Sequence, residues 1–351
     1  MGVATEIDGE PLRKLGLKYP LIVAPMAGGP STPALVIAAS AAGALGSIGA
    51  AYSSPAAIVE FANKVGQRTD KPFAINLFIP HATPTVDPAA VGRAIAATAG
   101  YRAELDLPTP QFSAPFEEDF DAQFEAVLRI RPAVFSFVFG LLSADHTKAA
   151  RKAGILLIGT ATAPEEAQAL EDSGVDAITL QGLEAGGHRG IFEPDAADPE
   201  IVLRDLLAQC TGKVRVPLIA AGGIMTAADI RAALAAGAQA VQMGTAFLAT
   251  SEAGTSAPYR SELDAPKRKT RTTRVFSGRL ARGIENRFME EMTPKMDAVM
   301  PFPAQNKFTR DLRGASAAKG SAAFLSLWAG AGEGELWQGS TSELIGSLFA
   351  G

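Results

Sequence analysis

Eight short apolar segments, each followed by a stretch with helical spacing, constrain the fold of this chain more than any other feature. The segments are continuous apolar runs rather than alternating ones, which is typical of parallel strands buried on both faces. Repeated strand–helix units predict an α/β protein with the TIM (β/α)8 barrel fold, and a doubly wound open sheet is the alternative. The predicted strands are residues 21–25, 45–49, 73–78, 133–139, 156–160, 177–181, 217–221 and 240–243.

Helix signals separate the predicted strands. Ser31 or Thr32 can cap a helix that begins at Pro33, and Thr226 can cap a later one. Gly174 follows the helical segment at residues 164–173, and Gly237 follows the one that Thr226 caps, where glycine favours helix termination. The predicted helices are residues 33–42, 55–65, 164–173 and 226–236.

Two regions interrupt this alternation. Residues 80–125 are a Pro-rich insertion after the third strand, with one helix predicted near residues 88–98. Residues 251–351 show no clear strand and predict a helical cap followed by a returning C-terminal helix. The sequence therefore predicts a barrel over residues 1–250 and a cap subdomain over 251–351, which would cover the active site.

Bulk properties exclude several functional classes. The 351 residues carry a net charge of −5, so there is no broad electrostatic reason to bind nucleic acid. The only basic run, at residues 267–274, is interpreted as a solvated loop face. Cys210 is the single cysteine, which rules out an intramolecular disulfide and a cysteine-based metal cage. No secretory signal and no apolar run of about 18 residues is found, which favours a cytoplasmic protein.

Glycine turns follow the seventh and eighth predicted strands. Gly222 and Gly223 end the first of these strands, and Gly244 and Thr245 end the second. At these positions in a barrel, exposed backbone N–H groups beside a helix start form a phosphate site. Simple termination of the strands would explain either turn alone, but the pair favours phosphate binding.

Neutral amides at other strand ends suggest which phosphate compound is bound. Asn76 and Gln181 suit the hydrogen-bonding edge of a heterocycle or ribityl hydroxyls, and Pro25 and Met26 can pack against a flat ring. No Gly-Lys-Ser/Thr sequence occurs, and the glycines after residue 181 do not open a Rossmann unit. These features point to a mononucleotide such as FMN.

Several longer motifs resemble the nitronate monooxygenase family, formerly called 2-nitropropane dioxygenases, and its bacterial class I in particular. They are APMAGGPST, INLF, VFSFVFG, QGLEAGGHRG, AAGGI, VQMGTAFL, FSGRLARGIENRF, FPAQN and SLWAG. The resemblance implies a TIM barrel that holds FMN and oxidises alkyl nitronates with O2 to a carbonyl compound and nitrite. Its expected substrate is propionate 3-nitronate, and its expected role is detoxification. The implied cofactor-binding residues are Ala24, Pro25, Met26, Asn76, Gln181, Gly186, Gly187, Ala221, Gly222, Gly223, Gln242, Met243, Gly244 and Thr245.

His188, in the loop after the sixth strand, is the predicted catalytic residue. A protonated His188 would attract the nitronate, whereas a neutral one would remove the α-proton of a nitroalkane. A structural histidine bonded to the backbone is the alternative. Arg189 is predicted to pin the loop or the cap, and Glu184 either orients the loop or lies on the surface.

The remaining histidines do not suggest a metal site. His81 is placed to reach the mouth of the site, and His146 is interpreted as a surface or capping residue. The three histidines lie in separate loops without a carboxylate at ligand spacing, so no metal is predicted.

Phe302 and Lys307 are candidate substrate contacts in the cap, and a solvated lysine is the favoured interpretation of Lys307. Related enzymes often have a tyrosine where this chain has Phe302, so a phenol is missing there. Three alternatives stay open: an FMN-dependent NAD(P)H reductase for enoyl-acyl-carrier-protein or quinones, an isomerase or aldolase without flavin, and a binding barrel without catalysis. The sequence leaves open whether the protein is a monomer or a homodimer.

Overall fold

The computed structural model describes residues 9–265 and 268–350. Eleven strands occur in these residues. In chain order they are β1 (Leu21–Val23), β2 (Gly46–Gly49), β3 (Phe73–Phe78), β4 (Val134–Val138), β5 (Leu156–Ala161), β6 (Ala177–Gln181), β7 (Gly187–His188), β8 (Leu218–Ala221), β9 (Ala240–Met243), β10 (Thr270–Thr273) and β11 (Ala281–Ile284).

Eight of these strands form a parallel sheet in the order β1-β9-β8-β6-β5-β4-β3-β2. A bridge between Ile22 and Leu45 joins the two ends of this sheet, with Val23 N 2.9 Å from Leu45 O. The sheet is thereby a nearly closed barrel. The predicted TIM barrel is confirmed, and the open-sheet alternative is wrong because β1 has neighbours on both sides.

Seven barrel strands and Leu45, the residue before β2, each supply one side chain to a layer inside the barrel. Leu12, in the first helix of the chain, and Leu15, which follows that helix, also contact this layer. A larger core lies between the outer faces of the strands and the surrounding helices. The layer is Ile22, Leu45, Ala74, Val134, Ile158, Ala177, Ile219 and Ala240.

Fourteen α-helices and two 3-10 segments, Thr245–Phe247 and Thr293–Ala298, occur in the described residues. The helices are α1 (Glu10–Arg13), α2 (Pro33–Ala41), α3 (Pro55–Gly66), α4 (Pro88–Glu104), α5 (Phe120–Ile130), α6 (Ala144–Lys152), α7 (Pro164–Ser173), α8 (Leu203–Cys210), α9 (Ala227–Ala235), α10 (Ala257–Leu263), α11 (Arg287–Met292), α12 (Ala304–Phe308), α13 (Arg310–Ala318) and α14 (Thr341–Phe349).

The four helices predicted between strands are present within one residue at each end. Thr32 caps α2 by accepting a hydrogen bond from Leu35 N at 3.0 Å, and Thr226 forms a capping box with Asp229. The predicted helix in the Pro-rich insertion is present and extends to Glu104. A second insertion helix, α5, was missed, although Asp119 caps it.

The prediction that residues 251–351 contain no strand is wrong. β10 and β11 form an antiparallel hairpin, and β11 also pairs with the short strand β7 that follows the sixth barrel strand. The basic run was likewise misinterpreted in part: Arg271 lies within β10, and Arg268 donates hydrogen bonds to the carbonyls of Leu263 and Gly332. Lys267 lies outside the described residues.

The insertion and the C-terminal third pack together over the carboxyl ends of the barrel strands. α4 packs against the 3-10 segment Thr293–Ala298. Arg102, on α4, is 3% exposed and forms two hydrogen bonds with the Asp311 carboxylate at 2.6 and 3.2 Å. A shared apolar cluster, which includes Tyr101, Phe276 and Phe288, joins these elements.

The last helix, α14, packs against α2 and α9 on the outside of the barrel. Leu344, Ile345 and Leu348 are buried there. The chain thus returns from the cap to the helical ring. None of the helices in the described residues is both long and apolar enough to span a bilayer.

Candidate active site

A cavity of about 610 Å³ lies at the carboxyl ends of the barrel strands, beneath the cap. All the residues predicted to bind the cofactor line it, together with His188. The strand ends supply most of the lining, because parallel strands direct their carboxyl ends to the same edge of a barrel. The cap adds Tyr259, Arg313 and Trp328.

The glycine turns after β8 and β9 expose backbone donors to this cavity. The N–H groups of Gly222, Gly223 and Gly244 have no hydrogen-bond acceptor among the described residues. Gly222 and Gly223 have φ values of +119° and +72°, which favour glycine. The Thr245 hydroxyl accepts a hydrogen bond from Gly330 N at 3.0 Å, which leaves its own hydrogen available. These groups form a cradle suited to an anion.

The glycines before His188 allow the cap backbone to approach closely. A Cβ at Gly186 would overlap the backbone of Ala329 and Gly330. Gly187 has a φ of +78°, and it pairs with Arg282 across β7 and β11. The loop therefore contains glycines because larger residues would prevent its close packing against the cap.

The amide of Gln181 holds the His188 loop. Its Oε1 accepts hydrogen bonds from Gly190 N at 2.8 Å and Arg189 Nη1 at 2.9 Å, and its Nε2 donates to His188 O at 3.0 Å. The Gln181 amide thus makes three hydrogen bonds to residues of the loop itself. Gln242, in contrast, lines the cavity with no hydrogen-bond partner for its amide among the described residues.

Arg189 pins the loop, as predicted. Its guanidinium donates to both carboxylate oxygens of Asp198 at 2.7 and 3.2 Å, and to Gly182 O at 2.7 Å. The side chains of Arg189 and Asp198 are 0% and 7% exposed. The pair closes residues 189–198 into a loop anchored beside β6.

His188 is fixed by a hydroxyl from the β10–β11 turn. Its Nε2 lies 2.8 Å from Ser277 Oγ, which is also 3.0 Å from the carbonyl oxygen of Arg279. Because a carbonyl oxygen only accepts, Ser277 donates its one hydrogen there and accepts a hydrogen bond from His188 Nε2–H. We infer that Nδ1 of the neutral ring carries the lone pair, and it has no partner among the described residues.

Aromatic rings surround the His188 imidazole. The centroids of Phe78, Phe139 and Phe302 each lie 5.9 Å from it, and that of Trp328 lies 5.6 Å away. Such apolar surroundings disfavour a charged imidazolium.

Burial, and then the positive charges of Arg279 and Arg313, lower the pKa of His188 to about 3. Arg279 stacks over the Phe139 ring at 3.7 Å and is itself buried. His188 is therefore neutral at physiological pH. Of the two roles predicted for it, removal of a proton fits this state, whereas attraction of an anion by an imidazolium does not.

The two predicted substrate contacts lie in different places. Phe302 packs against His188, although it does not line the cavity itself. Lys307 lies away from the cavity, because its ammonium donates hydrogen bonds to the carbonyls of Ser113 and Pro115 at 2.7 and 2.8 Å. Lys307 thus holds the Pro-rich insertion.

Other candidate residues have structural roles. Glu184 accepts a hydrogen bond from Leu203 N at 2.9 Å, so it caps α8 rather than orienting His188. His146 lies in the first turn of α6 and bonds to Ser143, and it is Ser143 rather than His146 that caps the helix. His81 does not line the cavity. No group of three potential metal ligands occurs in the part of the chain that the structure describes.

Sequence reasoning missed several residues that line the cavity. Tyr52 follows β2, so inspection of every strand end would have found it. Ser136 in β4 accepts a hydrogen bond from Asn76 Nδ2 at 3.0 Å. Asn306 ends the FPAQN motif on α12, but nothing in that motif indicates that it faces the cavity. Arg310 and Arg313 lie on α13, and no local pattern marks them because the fold of the cap alone brings them to the cavity.

A family model described as nitronate monooxygenase matches residues 10–351. The nitronate monooxygenase of Pseudomonas aeruginosa is 39% identical over 352 residues, covering 96% of this chain and 97% of that protein. A probable nitronate monooxygenase of Bacillus subtilis is 36% identical, with 92% of each chain covered.

Among solved structures, nitroalkane oxidase from Streptomyces ansochromogenes aligns with a TM-score of 0.89 and 37% identity, covering 97% of this chain and 96% of that one. FabK from Thermotoga maritima aligns with a TM-score of 0.73 at 24% identity, covering 98% and 95% of the two chains. The likeness to FabK shows a shared fold alone.

Replacing Asp198 with Asn tests the anchoring of the His188 loop. The substitution leaves the fully buried Arg189 without a counter-charge, so we expect the free energy of unfolding to fall by about 3–5 kcal/mol. Asp195→Asn, at an exposed carboxylate of the same loop, is the control and should change it by less than about 0.5 kcal/mol. Urea denaturation measures both, and equal stabilities of the two variants would contradict the anchoring role.

Proposed function

Since the chain belongs to the nitronate monooxygenase family, we propose that it binds FMN and oxidises alkyl nitronates with O2 to a carbonyl compound and nitrite. The observation that carries this proposal is the meeting of His188 and the two glycine turns at one cavity. An oxidoreductase of this kind needs a cofactor cradle and a substrate position side by side.

The donors around the glycine turns fit FMN. The neutral donors there, which are the N–H groups of Gly222, Gly223 and Gly244 and the Thr245 hydroxyl, suit its phosphate. Within residues 9–265 and 268–350, no carboxylate lines the cavity. The unpaired amide of Gln242 suits the polar edge of the ring. When bound, the flavin supplies an electron acceptor that can pass electrons to O2.

His188 would act on the substrate as a neutral ring. Ser277 holds Nε2–H, so the lone pair of Nδ1 can accept the α-proton of a neutral nitroalkane. A nitronate has already lost this proton and needs no base. The name of the Streptomyces relative, nitroalkane oxidase, supports the proposal that both forms of substrate are used.

The surroundings of His188 favour a small substrate with an aliphatic chain. Phe78, Phe139 and Phe302 pack around the imidazole and offer only apolar contacts. We propose propionate 3-nitronate as the natural substrate, with detoxification in the cytoplasm as the role. O2 is the second substrate.

The reductase alternative has less support. FabK resembles this chain in fold at 24% identity. The relatives from Pseudomonas, Bacillus and Streptomyces are 36–39% identical, and they are named nitronate monooxygenase, probable nitronate monooxygenase and nitroalkane oxidase. An isomerase or aldolase without flavin leaves the resemblance of the whole chain unexplained.

Replacing Gly244 with Asp tests the phosphate cradle. A Cβ there meets Ala24 Cβ at 3.4 Å, an ordinary contact, so the backbone should tolerate a side chain. The added carboxylate repels the phosphate, and we expect FMN to bind at least about tenfold more weakly than in the neutral, isosteric control Gly244→Asn. Fluorescence titration of the apoproteins measures both affinities, and equal values would place the phosphate elsewhere.

Replacing His188 with Asn tests its role as a base. We expect nitrite release from nitroethane to fall by about 10²–10⁴-fold, because general-base catalysis contributes that much. Release from ethyl nitronate should fall much less, and the FMN content should not change. His146→Asn, at a histidine outside the cavity, is the control for both substrates.

Three outcomes would contradict this role. Equal losses with nitroethane and ethyl nitronate would mean that His188 positions substrate rather than removing a proton. Unchanged rates with both would remove it from the mechanism. If the unmodified enzyme does not turn over nitroethane, His188 does not act as a base on neutral nitroalkanes.

A further inference from the structure

A group of hydrogen-bond donors lines the cavity and has no part in the mechanism above. Tyr52 follows β2, Asn306 lies on α12, and Arg310 and Arg313 lie on α13. The group therefore forms where the end of the second barrel strand meets the cap. No carboxylate is among the described residues that line the cavity.

Arg313 is a cation without an anionic partner in the described residues. Its Nη2 donates to the backbone and side-chain oxygens of Asn306 at 2.7 and 2.9 Å, which are neutral acceptors. The neighbouring carboxylate of Asp311 is instead bonded to Arg102. Burial and Arg310 lower the pKa of Arg313 to about 10, so it stays charged at pH 7. Arg313 is half-buried and faces the cavity, so an anion bound there would supply the counter-charge that the described residues do not.

Asn306 and Tyr52 add donors of the same kind. Asn306 is only 2% exposed, and while its Oδ1 accepts from Arg313, its Nδ2 has no acceptor among the described residues. Burial raises the pKa of the Tyr52 hydroxyl to about 12, so it stays protonated and can donate. The Arg310 guanidinium lies 5.9 Å from the centre of the Tyr52 ring.

These unsatisfied groups select a ligand that only accepts hydrogen bonds. The Arg313 guanidinium, the Asn306 amide and the Tyr52 hydroxyl are all donors, and a carboxylate offers about four lone-pair positions to them. The anion is not the flavin phosphate in this account, because the proposed phosphate cradle lies after β8 and β9, on other strands.

The distance from this group to His188 is short. The Phe78 ring contacts both Tyr52 and His188, with its centroid 5.6 Å from the Tyr52 ring and 5.9 Å from the His188 ring. Arg313 is also close enough that its charge lowers the pKa of His188. One small molecule with a short apolar chain over Phe78 can therefore reach both places.

We propose that Tyr52, Asn306 and Arg313 form a subsite for a carboxylate on the substrate, and that this subsite makes the enzyme selective for short carboxylated nitronates. The proposal rests on the proposed function. Arg313 is its specificity-determining residue, since it alone of the three supplies a charge. The nitronate end would then lie beside His188.

The test compares two nitronates that differ only in the carboxylate. Propionate 3-nitronate has a carboxylate where propyl 1-nitronate has a methyl group. We expect Arg313→Gln to lower kcat/KM for propionate 3-nitronate by about 30-fold or more, mainly through KM, because loss of a buried charge pair costs several kcal/mol. The value for propyl 1-nitronate should change less than about threefold.

Two further variants make the test specific. Arg313→Lys keeps the charge and should restore part of the selectivity, and it replaces Arg313→Gln if that variant does not fold. Lys319→Gln removes a positive charge near the end of the same helix, where Lys319 pairs with Asp106 outside the cavity. This variant should leave kcat/KM unchanged for both nitronates.

Binding of propionate separates this proposal from the proposed function. Calorimetry with the holoenzyme should show propionate binding that Arg313→Gln weakens about tenfold or more. If the unmodified enzyme oxidises no nitronate, the proposed function fails. The propionate titration would still show whether Arg313 is part of a carboxylate-binding subsite. Equal loss with both nitronates, or no loss with either, would overturn the subsite, as would propionate binding that does not depend on Arg313.

Discussion

Closure of the barrel through β1 is the constraint on which the site depends. β1 pairs with β9 along its length and bonds to Leu45 on its other side, so the eight strands form a nearly closed ring. Closure directs the ends of β1, β3, β6, β8 and β9 to one cavity. Without it, the glycine turns at residues 222–223 and 244–245 would not face His188 across a shared space.

The cap completes the site by backbone pairing. β7 is part of the His188 loop and pairs with β11, and the turn between β10 and β11 brings Ser277 to the imidazole. The same turn supplies Arg279, whose charge helps to keep His188 neutral. The cap therefore helps both to position the residue proposed to be catalytic, through β11 and Ser277, and to keep it neutral, through Arg279, while burial has the larger effect on its protonation state.

The barrel and its glycine turns could be predicted from sequence because their signals are local. Apolar runs, caps such as Thr226 and glycines after strands each lie within a few residues of the feature they specify. β10 and β11 were missed because TRTT and ARGI carry no apolar run, and they become strands by pairing with each other and with β7. Lys307 was misplaced and Arg313 missed for a related reason: the fold of the cap decides which basic side chain faces the cavity.

The most direct measurement of the central claim is the absorption spectrum of the FMN-loaded enzyme under anaerobic conditions. Propionate 3-nitronate and NADH are added to separate samples. The account predicts that the nitronate bleaches the flavin, that NADH does not, and that O2 restores the colour with release of nitrite. A flavin bleached only by NADH would identify a reductase and contradict the account, as would a protein that takes up no FMN.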